Sequence, residues 1–188
     1  MQSIIDGANY ATLALCANDI PYSLPVNFVY LNESFYFHGS KKGKKIEILN
    51  KNRNGSLSIV VEGSLIPSYF SSNSKMACPA TQFFSSIIAD GVIEFVSCYE
   101  EKCNALNALM QKLQPQGGYI DLKEQVYKNA IDATSVYKLI VKNLTVKNKY
   151  GQKLPLDRVK MIIDNLQKRD KSIDRFTIDK IKEFRDDI

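Results

Sequence analysis

Residues 22–46 constrain this chain more tightly than any other stretch. Two runs rich in aromatic and β-branched residues, 22–31 and 34–39, meet at the polar segment Asn32-Glu33-Ser34. A short polar connection between two such runs is the local signature of an antiparallel hairpin. The second run ends at His38-Gly39, and this only histidine of the chain is followed by Ser40-Lys41-Lys42-Gly43-Lys44-Lys45-Ile46. Strand, basic glycine loop and helix start in that order make an anion cradle. Unpaired N–H groups and the helix dipole favour negative charge there, and lysine adds a point charge. Lys41, Lys42, Lys44 and Lys45 have a second reading as a solvated charge run, which is what most such runs are.

Around that stretch the periodicity alternates between strand and helix. Residues 10–17 read as a buried strand stopped by Asn18-Asp19. Residues 44–52 carry helical spacing, 56–62 form a β-branched strand, and 67–79 form a loop rich in Ser, Asn and Pro. Residues 82–96 make one long apolar strand with a bulge or bend at Asp90-Gly91. The clearest helix is 99–113, where Leu106, Leu109, Met110 and Leu113 recur on one face before Pro115. A weaker helix over 123–133 precedes an alternating strand at 135–146. Beyond Gly151, two short amphipathic helices need a surface to cover, on the body or on a partner subunit, because such helices are marginal alone. Six or so strands without regular βαβ alternation predict a mostly β, α+β fold. This would be an antiparallel barrel with peripheral helices and a helical C-terminal tail. The expected division is a domain over 1–150 and a helical extension over 151–188.

Composition narrows the partners. The 188 residues, 45% hydrophobic and 24% charged, can bury a real core. A net charge of +5 favours anions in general. The interleaved aromatics and lysines come without an RNA-recognition motif, so nucleic acid is not an expected partner. No apolar run approaches the ~20 residues that span a bilayer, so no membrane partner is expected. Residues 1–9 lack the basic start and apolar core of a signal peptide, and the expected location is cytoplasmic. Cys16, Cys78, Cys98 and Cys103 contain no C-x-x-C pair, and one histidine makes no zinc spacing. They read as reduced thiols, with Cys78, in a polar proline-flanked segment, the candidate for reactivity. Neither G-x-G-x-x-G nor a P-loop is present.

The run from Pro21 to Tyr30 (Pro-Tyr-Ser-Leu-Pro-Val-Asn-Phe-Val-Tyr), then Phe35-Tyr36-Phe37-His38-Gly39, then Gly43-Lys44-Lys45-Ile46, resembles a known family. It is the pyridoxamine 5'-phosphate oxidase-like superfamily of FMN-binding split barrels, and within it the Nim (nitroimidazole-resistance) flavoprotein branch. Ser86-Ile87-Ile88-Ala89-Asp90-Gly91-Val92-Ile93-Glu94-Phe95-Val96, followed by Glu100-Glu101-Lys102, resembles that branch's penultimate strand and helix. The likeness covers roughly residues 10–146. It implies a split β-barrel homodimer with FMN at the interface. Leu24, Pro25, Val26 and Asn27 would then lie by the isoalloxazine or ribityl chain, and Phe37 and His38 would end the next strand against the cofactor. Ser40, Lys42, Gly43 and Lys44 fall where the family holds the phosphate, and Ser85 and Ser86 match the strand reaching the flavin from the other subunit. The oxidase proper has an arginine where this chain has Leu24. Its arginine-rich substrate signature is also missing, so vitamin B6 oxidation is not implied.

His38 keeps two readings: a satisfied histidine at a strand end, or a ligand-facing donor or proton carrier beside a flavin. The imidazole also opens a haem alternative on the same fold, as an axial ligand. Tyr30, Phe35, Tyr36, Phe37, Phe83 and Phe84 read as core and dimer contact, with Phe37 or Phe84 able to line a flavin pocket. The expected function is an FMN-dependent oxidoreductase acting on a small molecule. Haem binding or degradation, and a non-catalytic flavin-binding module, are the alternatives.

Overall fold

The structure is a computed structural model that describes all residues, 1–188. Helix α1 (Gln2–Gly7) precedes β1 (Ala11–Ala17), β2 (Ile20–Val26), β3 (Val29–Leu31), β4 (Ser34–Gly39) and α2 (Lys44–Leu49). Strands β5 (Asn54–Ile66) and β6 (Thr81–Phe95) are joined by a loop holding one 3₁₀ turn, Ser68–Phe70. Helix α3 (Tyr99–Leu113), a second 3₁₀ turn (Gln125–Tyr127) and α4 (Lys128–Ala133) lead to β7 (Ser135–Lys149). Helices α5 (Leu156–Arg169) and α6 (Ser172–Glu183) complete the order. The seven strands form one sheet, β2-β1-β5-β6-β7-β4-β3. The pairings of β1 with β2 and β5, and of β4 with β3 and β7, are antiparallel.

Contacts divide the chain into two compact units, Met1–Ile59 with Ile87–Val146, and Val60–Ser86 with Lys147–Ile188. Residues 60–86 therefore group with the helical tail, a partition different from the 1–150 and 151–188 division drawn from sequence character.

In the first unit, both tight turns are of the hairpin kind. Asn18 and Asp19 have φ of 51° and 60°, and Asn32 and Glu33 have 47° and 59°. Two successive left-handed residues are what a type I′ turn needs to match strand twist. The expected strand over 22–31 is split at Asn27-Phe28, with β2 at one edge of the sheet order and β3 at the other. Three residue steps from Val26 to Val29 reach at most about 11 Å. The sheet of this unit must therefore curl until its edges come together, which is a barrel with an unpaired seam. Phe28, fully buried, anchors the crossing. Strand β6 is continuous through Asp90-Gly91. A Cβ on Gly91 would stand 1.9 Å from the Ile140 carbonyl oxygen, so the glycine permits close approach of β7. Helix α3 covers the outer cluster Tyr36, Val96, Ala105 and Val136. There the Tyr36 hydroxyl donates to Glu101 Oε1 at 2.8 Å. Burial first, then that carboxylate, push the Tyr36 pKa up to about 12.

In the second unit, Ile66, Phe70, Phe83 and Tyr150 pack with Val159, Ile162 and Leu166 of α5 and Ile178 and Ile181 of α6. Each such aliphatic side chain contributes about 1.5–3 kcal/mol of burial. Packing, not propensity, thus stabilises the two short helices. Asp174, fully buried, accepts from Arg169 Nε at 2.9 Å and from the Ser64 hydroxyl at 2.6 Å. No helix is long and apolar enough to cross a membrane.

Candidate functional site

Strand β4 carries the candidate residues to one end of the barrel in register with β7: Phe37 faces Tyr137, His38 faces Val136 and Gly39 faces Ser135. Phe37 is buried and stacks on Tyr137 with ring centroids 5.3 Å apart. His38 is exposed. Beyond Gly39 the chain turns tightly, with the Lys42 amide donating to Ser40 Oγ at 3.1 Å and the Tyr137 hydroxyl donating to the Ser40 carbonyl at 2.8 Å. Gly43, with φ of +103°, holds the position before α2, a backbone conformation that glycine reaches without strain. Helix α2 has only six residues, so its dipole is short. The loop's positive field comes mainly from its lysines.

Those lysines are not equivalent. Lys42 and Lys44 are exposed, and the Lys44 ammonium lies 4.6 Å from the Tyr22 ring centroid, linking the loop to β2. Lys41 Nζ donates to the Asp132 carbonyl at 2.7 Å. Lys45 is half-buried, 4.0 Å from the Tyr137 ring centroid and 5.8 Å from that of Phe37. A Cβ on Gly39 would come within 2.6 Å of its Nζ, so the glycine makes room for the ammonium. No carboxylate pairs with Lys45. Burial lowers its pKa. Partial desolvation by the protein around the exposed ring, and then the Lys45 charge, lower that of His38, which leaves a neutral imidazole at pH 7.

Lys45 is the residue that reading the sequence did not single out for the cofactor. The signal was present: Lys45, Ile48 and Leu49 share a face of α2 at three- and four-residue spacing, and Ile48 and Leu49 are buried. A lysine on that face is drawn toward the barrel while its neighbours at 42 and 44 point to solvent.

The other candidates divide between the two units. On β2, Leu24 is half-buried opposite Leu13, Pro25 is exposed opposite Thr12, and Val26 is buried opposite Ala11. Asn27 Nδ2 donates to the Asn9 carbonyl at 3.0 Å. Ser85 and Ser86 belong to the second unit and are buried. The Ser85 hydroxyl contacts Asn148 Oδ1 at 2.7 Å and the Tyr150 hydroxyl at 3.1 Å, both within its own chain.

The sequence profile of the family described as pyridoxamine 5'-phosphate oxidase matches residues 1–148. No curated protein matches the chain. Among solved structures, one similar chain is a protein assigned to 5-nitroimidazole antibiotic resistance from Bacteroides thetaiotaomicron. It is 27% identical, with a TM-score of 0.60 over 77% of this chain and 80% of that one. The flavocytochrome Anf3 from Azotobacter vinelandii is 22% identical, with a TM-score of 0.65 over 79% of this chain and 65% of that one. The FAD and heme binding protein from Mycobacterium smegmatis is 19% identical, with a TM-score of 0.64 over 78% and 68%. The sheet and helices match the antiparallel split-barrel fold of these neighbours. Family profile, fold and the order of the candidate residues converge, and the chain belongs to the pyridoxamine 5'-phosphate oxidase-like family.

Proposed function

We propose that this protein binds FMN and acts as a flavin-dependent oxidoreductase on a small molecule. The observation that carries the reading is Lys45, a half-buried ammonium with no carboxylate partner, beside the basic loop 40–44. A desolvated cation without a counter-charge is stabilised by an arriving anion, and a phosphate monoester fits a lysine-rich loop closed by a glycine. Ser40, Lys42, Gly43, Lys44 and Lys45 would hold that phosphate. Leu24, Pro25 and Val26 on β2, and Asn27 just beyond it, would lie along the ring or ribityl chain, with a second copy completing the site in a homodimer. When bound, the flavin supplies the hydride and electron transfer. The chain itself positions the group, excludes water with its aromatic floor, and offers the neutral His38 imidazole as a hydrogen-bond donor or acceptor.

FMN titration of the purified protein, with mass identification of any small molecule released on denaturation, tests the proposal. A yellow protein, or one that takes up FMN, supports it, and a colourless protein without measurable FMN affinity overturns it. The exposed, neutral His38 favours a second reading, since neutral imidazole is the metal-ligating form. If haem binds through His38, a haem titration shows an absorbance band that His38→Ala abolishes while FMN uptake persists.

A further inference from the structure

The second unit contains an open cavity of about 630 Å³ that the flavin reading does not use. Its size falls within the range of small-molecule sites. Ile66, Phe83, Leu154 and Ile162 form an apolar floor, and Lys147, Lys149, Lys153 and Arg158 contribute four cations to its lining. No acidic residue lines it, and none of the four cations takes part in an ion pair. Two are pinned by neutral partners. Lys149 Nζ donates to the Thr81 hydroxyl, and Arg158 Nε donates to the Ser71 carbonyl at 2.9 Å. Lys147 lies 5.5 Å from the Phe84 ring centroid. The remaining cation, Lys153, is exposed. Gly151, at φ +79°, turns the chain between β7 and α5 at the cavity wall. A Cβ there would touch Phe83 and Leu154 at 3.3 Å.

We propose that this cavity is a binding site for an amphipathic anion, a small molecule with an apolar body and one acidic head. The floor removes apolar surface from water, and cations with no protein counter-charge favour the head. Because the cavity lies wholly within the unit built from Val60–Ser86 and Lys147–Ile188, the proposal stands whether or not FMN binds at the basic loop.

The fluorescence of 1-anilinonaphthalene-8-sulfonate, which rises when the probe leaves water for an apolar surface, reports occupancy. The full chain is titrated with this probe and then with decanoate, decyl phosphate, decanol and inorganic phosphate. Saturable probe binding, displaced by decanoate or decyl phosphate but not by decanol or inorganic phosphate, supports the proposal. The better of the two anions tells a carboxylate from a phosphate head. Lys147→Glu with Lys153→Glu changes two exposed side chains without ion-pair partners, and the pair should weaken decanoate binding about tenfold. Should that variant not fold, raising the salt to about 1 M for the wild-type chain, where the Debye length is about 3 Å, should weaken decanoate binding several-fold. Decanol matching decanoate, salt-independent binding, an unchanged affinity in the folded variant, or no saturable signal would each overturn the proposal. Displacement of the probe by FMN would overturn it too, since the cavity would then be the flavin's own.

Discussion

The Lys45 ammonium sits 4.0 Å from the centre of the Tyr137 ring, and the same Tyr137 donates its hydroxyl to the Ser40 carbonyl at 2.8 Å. One tyrosine on β7 thus holds both the cation and the loop proposed to receive a phosphate. Lys45→Met keeps the stem and removes the charge. The expected result is about a tenfold loss of FMN affinity, the scale of one charge-assisted hydrogen bond. Lys41→Met removes an equal charge, but one whose Nζ is turned to the Asp132 carbonyl, and should change the affinity less than Lys45→Met does. Fluorescence titration with FMN reads both. Equal effects of the two substitutions would refute the special role of Lys45.

His38 is the only histidine, so its proton resonances can be followed by NMR without assignment of others. Its pKa should fall below the ordinary 6.5, from partial desolvation first and the Lys45 charge second. In Lys45→Met it should move back up part of the way. Because the folded value is depressed, the unfolded chain binds the proton more readily. The stability linked to His38 is therefore complete above about pH 6.5 and declines as pH drops through the interval down to the folded pKa. A titration midpoint at or above 6.5 would contradict this.

Asp174 is fully buried and held by Arg169, Ser64 and the Lys171 amide, with its pKa lowered to about 2. The Arg169 bond is the largest cause. Asp174→Ala leaves the half-buried Arg169 without its counter-charge and should cost about 3–5 kcal/mol in denaturant unfolding. With Asp174 intact, its contribution persists above the unfolded value of 3.8 and is lost as pH falls from there toward about 2. Acid unfolding that spares the α5–α6 region down to pH 2 would count against it.

Gly91→Ala places a methyl group 1.9 Å from the Ile140 carbonyl oxygen. Because the obstacle is backbone in the neighbouring strand, no rotamer relieves it. The expected cost is about 3 kcal/mol or more, seen as a lowered midpoint in thermal or urea unfolding. Gly117→Ala is the contrasting case, where a Cβ meets nothing within 4 Å and the only penalty is the positive φ of 71°. If both changes cost the same, close approach is not why residue 91 is a glycine.

Much of the fold could be read from local pattern. Helix α3 has the expected bounds, because Leu106, Leu109 and the buried Cys103 mark one face and Pro115 blocks continuation. The Asn18-Asp19 and Asn32-Glu33 turns were visible because polar residues that tolerate left-handed backbone separate apolar runs. Helix α1 had no such signature: six residues with Ile4 and Ile5 buried are too few to show a period. Strand β5 runs beyond its expected end for a different reason. Ser64 is retained in β5 because Thr177 and Asp174, more than a hundred positions later, supply its hydrogen-bond partners.

The candidate site shows the same division. By itself the sequence determined the hairpin, the basic loop, the lone histidine and the family, since these rest on residue types and spacings within a few positions of one another. Only the tertiary structure decided that Lys45, rather than Lys42 or Lys44, is the half-buried cation, and that the Ser85 hydroxyl already contacts Asn148 and Tyr150. Burial and the absence of a counter-charge are properties of what β7 and its neighbours bring alongside. They exist only once strands distant in sequence are adjacent in space.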